Sequence, residues 1–201
     1  MMIKNFGARV VSVWEGLRPM TKKMLVGAMQ ANVAVPTQTF SYDAHADWEV
    51  SRLLSALDEQ ATDAEILKDA EKLSEIKHLA ETCADVLESK TESAEIFIQL
   101  ADRALNRNNY KKIDKLTDIL STRFSVGEMC EIVRQTVNPA IRALGYETLA
   151  LVPVVNLLPL VDDPFYQEIV RNVLEQQAFE YESEEARAIL EQLEFEELIG
   201  E

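Results

Sequence analysis

Apolar residues return every three to four positions along most of this chain, and helix-start signals stand in front of several of those runs. That spacing gathers side chains on one face of a helix. A strand would need them at alternate positions. The clearest run is Ile66, Leu73, Ile76, Ala80, Cys83 and Leu87, with charged residues on the other faces through about Glu88. Thr62-x-x-Glu65 in front of it reads as a capping box. In that motif the hydroxyl takes a free amide of the first turn and the glutamate returns to the cap residue's own amide.

The pattern repeats on both sides. From Asp43 to about Glu59, Trp48, Leu53, Leu54 and Leu57 share a side. Ser93 to Arg107 carries Ile96, Leu100 and Leu105, and Tyr110 to Phe124 carries Ile113, Leu116 and Leu120. The polar turn Asn106–Asn109 joins these two as an antiparallel hairpin. With Leu100, Ala101, Ala104, Tyr110 and Ile113 in comparable places, the span Ala94–Leu120 loosely resembles one tetratricopeptide repeat, without a second copy at a matching period. Ser125-x-x-Glu128 reads as another capping box. Asn138–Pro139 restarts the helix, since proline fits a first helical position. Gly145 reads as a C-terminal stop. Leu149–Val161, broken by Pro153 and Pro159, reads as a buried connector. Asp163–Pro164 opens a helix to about Tyr181, and Ser183 caps a last one carrying Ile189, Leu190, Leu193 and Leu198.

Only 6 Gly and 6 Pro are present, too few for the many tight turns of a sandwich or barrel, and 47 % apolar residues suffice for a core. The expectation is an all-α protein, an irregular helical bundle or stacked helical hairpins of about seven or eight helices. An N-terminal arm precedes it. In that arm Ile3, Phe6, Val10, Val13, Trp14 and Leu17 form an amphipathic face, Gly16 and Pro19 end the first helix, and Met24, Leu25, Ala28 and Met29 suit a second. The uncharged stretch Asn32–Phe40 reads as an extended linker. The domain expectation is therefore residues 1–40 as a basic arm with linker and 41–201 as one acidic helical domain.

The formal charge of −15 is unevenly spread. Residues 1–30 carry Lys4, Arg9, Arg18, Lys22 and Lys23 against Glu15 alone, whereas the chain from Glu175 onward holds ten Glu and one Arg. The body would repel phosphates, so nucleic acid is not its expected partner. Charge segregation of this kind points to interaction through a terminal segment. The expected partner-binding residues are Phe6, Val10, Val13 and Trp14, ringed by Arg9, Arg18, Lys22 and Lys23. The expected partner is another protein, or a second copy offering its glutamate-rich end. Contact of the arm with an anionic membrane or nucleic acid is an alternative.

Catalytic signals are sparse. G-x-G-x-x-G, G-x-x-x-x-G-K-[ST] and G-x-S-x-G are all missing from the sequence. Cys83 and Cys130 read as small buried hydrophobes. The histidines are His45, four residues before Glu49, and His78, which forms Glu75-x-x-His78. The latter spacing occurs in helical di-iron carboxylate sites, and a dimer would have to complete one from Glu75 and His78. On the proposed phasing both lie on the solvated face. The leading expectation is a non-enzymatic interaction, assembly or scaffold protein without a cofactor. The alternative is a metal-binding enzyme or storage protein. With no secretory signal or membrane-spanning run in the sequence, the expected location is the cytoplasm.

Overall fold

A computed structural model describes residues 3–30 and 43–200, with side chains described through Phe195. Among these residues there are eleven α-helices and no strand. No helix among them is long and apolar enough to cross a membrane. The all-α expectation holds. The count exceeds seven or eight because the N-terminal segment supplies two packed helices, and Pro153 and Pro159 cut a short helix out of the expected connector. The chain divides into two compact units, residues 1–91 and 92–201.

The first unit contains α1 (Ala8–Gly16), α2 (Pro19–Gln30), α3 (Ala44–Gln60) and α4 (Ala70–Lys90), with 3-10 turns at Ile3–Asn5 and Ile66–Lys68. α3 packs along α4, α1 lies on α3, and α2 lies mainly on α4. Phe6, Val10, Leu17 and Leu25 are buried together with Val50, Leu53, Leu54, Leu57, Ile76, Leu79, Cys83 and Leu87. The apolar face of residues 1–30 is thus part of this unit's core, not the face of a separate arm. The expected boundary near residue 40 falls within this unit. The expected linker, Asn32–Phe40, lies wholly outside the described residues, as does the boundary itself.

α4 begins later than its expected capping box. The Thr62 hydroxyl donates to the Glu59 carbonyl at 2.7 Å instead of accepting an amide. Asp63 accepts from the Glu65 amide at 2.8 Å, so the chain turns here. Asp69 is the working cap, accepting from the Lys72 amide at 3.0 Å. Aspartate and threonine both cap well, and the sequence offers three candidates in eight positions. The stripe is also rephased: Leu79 is fully buried, whereas Leu73 is only half-buried. Trp48, expected on the core side of α3, is exposed.

The second unit holds α5 (Ala94–Asn106), α6 (Tyr110–Arg123), α7 (Val126–Gln135), α8 (Pro139–Ala150), α9 (Val154–Leu157), α10 (Gln167–Phe179) and α11 (Glu184–Gly200). α5 and α6 form the expected hairpin, its turn made by Asn108 at φ 52 and capped by Asn109. Ser125 caps α7, but the second half of its capping box goes elsewhere: Glu128 accepts from the Ala94 amide at 2.8 Å and so caps α5. Asn138 caps α8 and also donates from Nδ2 to Asp102 on α5 at 2.8 Å. Gly145 does not stop α8, which continues to Ala150. A Cβ there would lie 2.6 Å from Val133 Cγ2, so this glycine exists to let α8 press against α7. Gln177 on α10 donates to the carbonyls of Ala150 and Val152 at 3.0 and 2.7 Å, satisfying the end of α8. The connector is only partly buried: Leu149, Val154 and Leu157 are inside, whereas Leu151 and Val155 are exposed.

Candidate functional site

The most organised region of the first unit is the corner where α1 meets α2. Leu17 ends α1 and Pro19 opens α2, which leaves the Arg18 amide between them without a helical partner. Glu49, buried on α3, supplies it. Glu49 Oε1 accepts from the Arg18 amide at 2.8 Å, and Oε2 accepts from Arg18 Nε at 3.1 Å and from the buried Thr21 hydroxyl. The far end of the same guanidinium donates to both oxygens of Asp43, at 3.1 and 2.8 Å. Asp43 in turn caps α3 through the Ala46 amide. One arginine therefore ties the α1–α2 corner to the start of α3.

The charges respond to this geometry. Burial pushes the Glu49 carboxyl up, but the bonds from Thr21 and from the Arg18 amide and guanidinium outweigh it and hold the group below the usual carboxylate range. Arg18 and then the Ala46 amide hold Asp43 well below that range. Thr21 and the Arg18 amide would be left without this acceptor if Glu49 were removed.

With the corner fixed, the outer sides of α1 and α2 form a groove of about 750 Å³. Val11, Trp14 and Glu15 line it from α1, Lys22, Val26, Met29 and Gln30 from α2, and Ile3 and Lys4 from the 3-10 turn before α1. The spacings 11, 14, 15 and 22, 26, 29, 30 each follow one helix face. α1 thus has two apolar sides. Phe6 before it and Val10 on it are enclosed, and Val11 and Trp14 look onto the groove. Lys22 Nζ also donates to the Glu15 carbonyl at 2.9 Å, which pins one of the groove's lysines.

Of the eight residues expected to bind a partner, Phe6 and Val10 are fully buried in the unit and leave no surface to offer. Val13 is half-buried, and Trp14 and Lys22 line the groove. Arg9 pairs with Glu59, Arg18 with Asp43 and Glu49, and Lys23 is exposed. Sequence reasoning missed Val11, Val26 and Met29 because one amphipathic face was sought where two exist. It also missed Glu49 as a structural acceptor. The glutamate's partners lie 28 and 31 positions away, a separation no local pattern reports.

The other candidates separate. Glu75 and His78 are both exposed on α4. His45 is exposed and sets its ring edge-on to Trp48 at 6.2 Å, whereas both Glu49 oxygens are committed, so the His45–Glu49 spacing does not make a ligand pair. Among the described residues no three His, Cys, Asp or Glu side chains come together as a metal site. Burial pushes the Cys130 thiol up to about 12, with Asp163 and Glu131 adding to it, which makes it a poor nucleophile at neutral pH.

The second unit has its own surface features. Glu131 on α7 takes bonds from the Arg134 guanidinium, Gln135 and the Tyr166 hydroxyl. The Arg134 bond, working against burial and joined by those from Gln135 and Tyr166, holds its carboxyl at about 2. This cluster fastens the segment before α10 to α7. Further along α10, a shallow cleft is lined by Tyr146, Asn172, Glu175, Gln176, Phe179 and Glu180. Phe179 is 73 % exposed there, although the adjoining Ala178 is fully buried. Comparisons with protein-family models, with curated proteins and with solved structures find no match to this chain.

Proposed function

We propose that this chain is a non-enzymatic protein–protein interaction or assembly module, and that its groove beside Trp14 receives an amphipathic helix with acidic flanks. The observation that supports this reading is a groove lined by the apolar Val11, Trp14, Val26 and Met29 together with Lys4 and Lys22, which outnumber its one acid, Glu15. An apolar row entering such a groove is removed from water, while glutamates beside it meet the lysines. Trp14 is the natural anchor, since large aromatics carry a disproportionate share of interface energy.

The ion pairs of the N-terminal helices favour a protein over a polyanion. Arg9 and Arg18 already face carboxylates of their own unit. A phosphate backbone or an anionic bilayer would have to compete for them, and binding to either draws on a broad positive field. A helix seated in the groove needs only its two lysines.

The test is fluorescence anisotropy of a labelled synthetic helix with leucine and phenylalanine along one face and glutamate on either side. Binding to the full chain should weaken about tenfold or more on Trp14→Ala, stay unchanged on Trp48→Ala, and weaken as salt is raised. A lysine-flanked version of the peptide should not bind. Equal binding by wild type and Trp14→Ala, with the fold of both checked by circular dichroism, would overturn the reading.

A further inference from the structure

The groove needs an occupant, and the second unit carries a surface with the matching chemistry. Phe179 stands out on α10 beside Glu175 and Glu180, one turn before it and directly after it, with Tyr181 also exposed. The core of its own unit does not use this ring. The inward face of α10 is Ile169, Val170, Val173, Leu174 and Ala178, and Phe179 falls outside that stripe. A large aromatic in water amid carboxylates is an apolar projection with an acidic collar. The groove is an apolar recess whose charged lining is Lys4 and Lys22 against Glu15, a net positive charge.

Resting on the groove reading above, we infer that the partner helix is α10 of a second copy of this chain. Phe179 enters the groove beside Trp14, and Glu175 and Glu180 meet Lys4 and Lys22. The recess lies on the first unit and the projection on the second, so each contact pairs the groove of one copy with α10 of another. The charge distribution agrees at a coarser level, with a positive excess in residues 1–30 and a run of glutamates from Glu175 onward.

Charge reversal tests this without touching either core. All four charged residues are surface groups, and none belongs to the Arg18–Glu49 network. Sedimentation of the wild-type chain at low salt should show mass that rises with concentration. Lys4→Glu with Lys22→Glu should weaken association about tenfold or more, and Glu175→Lys with Glu180→Lys should do the same, because like charges then face each other. Mixing the two variants should restore association, since the native projection of the first fits the native groove of the second and the reversed projection of the second fits the reversed groove of the first. Combining all four changes in one chain should restore self-association. A wild type that stays monomeric up to about 1 mM, the weak end of specific association, would overturn the second-copy inference. So would association indifferent to both reversals, or variants that fail to complement. The synthetic acidic helix keeps the two readings apart. If it still binds through Trp14 to a monomeric chain, the groove stands and only the identity of its occupant falls.

Discussion

At Glu49 a single carboxylate satisfies a backbone amide, a hydroxyl and a guanidinium that come from the junction of two other helices. Removing it costs more than the bonds themselves, because the Thr21 hydroxyl stays buried and loses its acceptor. Arg18 is partly exposed and keeps Asp43, so its charge is not stranded. Glu49→Ala should therefore lower stability by about 1–3 kcal/mol in urea denaturation at neutral pH. Acid should close that gap. The folded-state value of Glu49 lies below its ordinary 4.5, so its contribution is present above about pH 4.5 and fades as pH falls through the lower folded value. Glu131, held at about 2, loses its contribution over the interval from 4.5 down to 2. A difference between Glu49→Ala and wild type that grew on acidification would contradict this assignment.

Among the elements, the α7–α8 contact shows what a helical glycine can do and how far it can be read beforehand. Gly145 was expected as a stop because glycine is common just past helix ends. Its actual role depends on Val133, twelve positions earlier, through a crossing that sequence periodicity does not contain. The starts of α7 and α8 were legible because Ser125, Asn138 and Pro139 act on their own first turns. The start of α4 was not, because Thr62, Asp63 and Asp69 each have cap chemistry and only packing chooses among them. Two glycines separate the effects. Gly145→Ala places a methyl 2.6 Å from a buried, branched valine tip that has little room to turn. It should destabilise by about 1–3 kcal/mol, more than the helix preference of alanine returns. Gly27→Ala in α2 meets nothing within 4 Å and should stabilise by about 0.5–1 kcal/mol. Thermal denaturation of the two variants should move in opposite directions, and a parallel shift would show that α7 and α8 do not cross this closely.

For the whole molecule the decisive question was whether residues 1–30 belong to the body or project from it. An amphipathic stripe states that a face must be covered but not by what. Reading Phe6, Val10, Val13 and Trp14 as one exposed patch follows from that ambiguity. The fold resolves it by dividing the stripe: Phe6, Val10, Leu17 and Leu25 go inward, and Trp14 stays at the groove. Burying a side chain of this size contributes about 1.5–3 kcal/mol, so the four together rival the 5–15 kcal/mol by which a typical domain is stable. Deleting residues 1–30 would also strip Glu49 of every partner it has at the corner, leaving a buried carboxylate on α3. The truncated chain should therefore lose the first unit and keep the second, whose core is built from its own helices. Hydrogen exchange read by mass spectrometry should find α3 and α4 unprotected while α5, α7, α8 and α10 exchange as slowly as in the full chain. Protection of α3 and α4 after the deletion would mean that residues 1–30 are dispensable to the core after all. The groove would then be the face of a detachable segment instead of a fixed feature of the first unit.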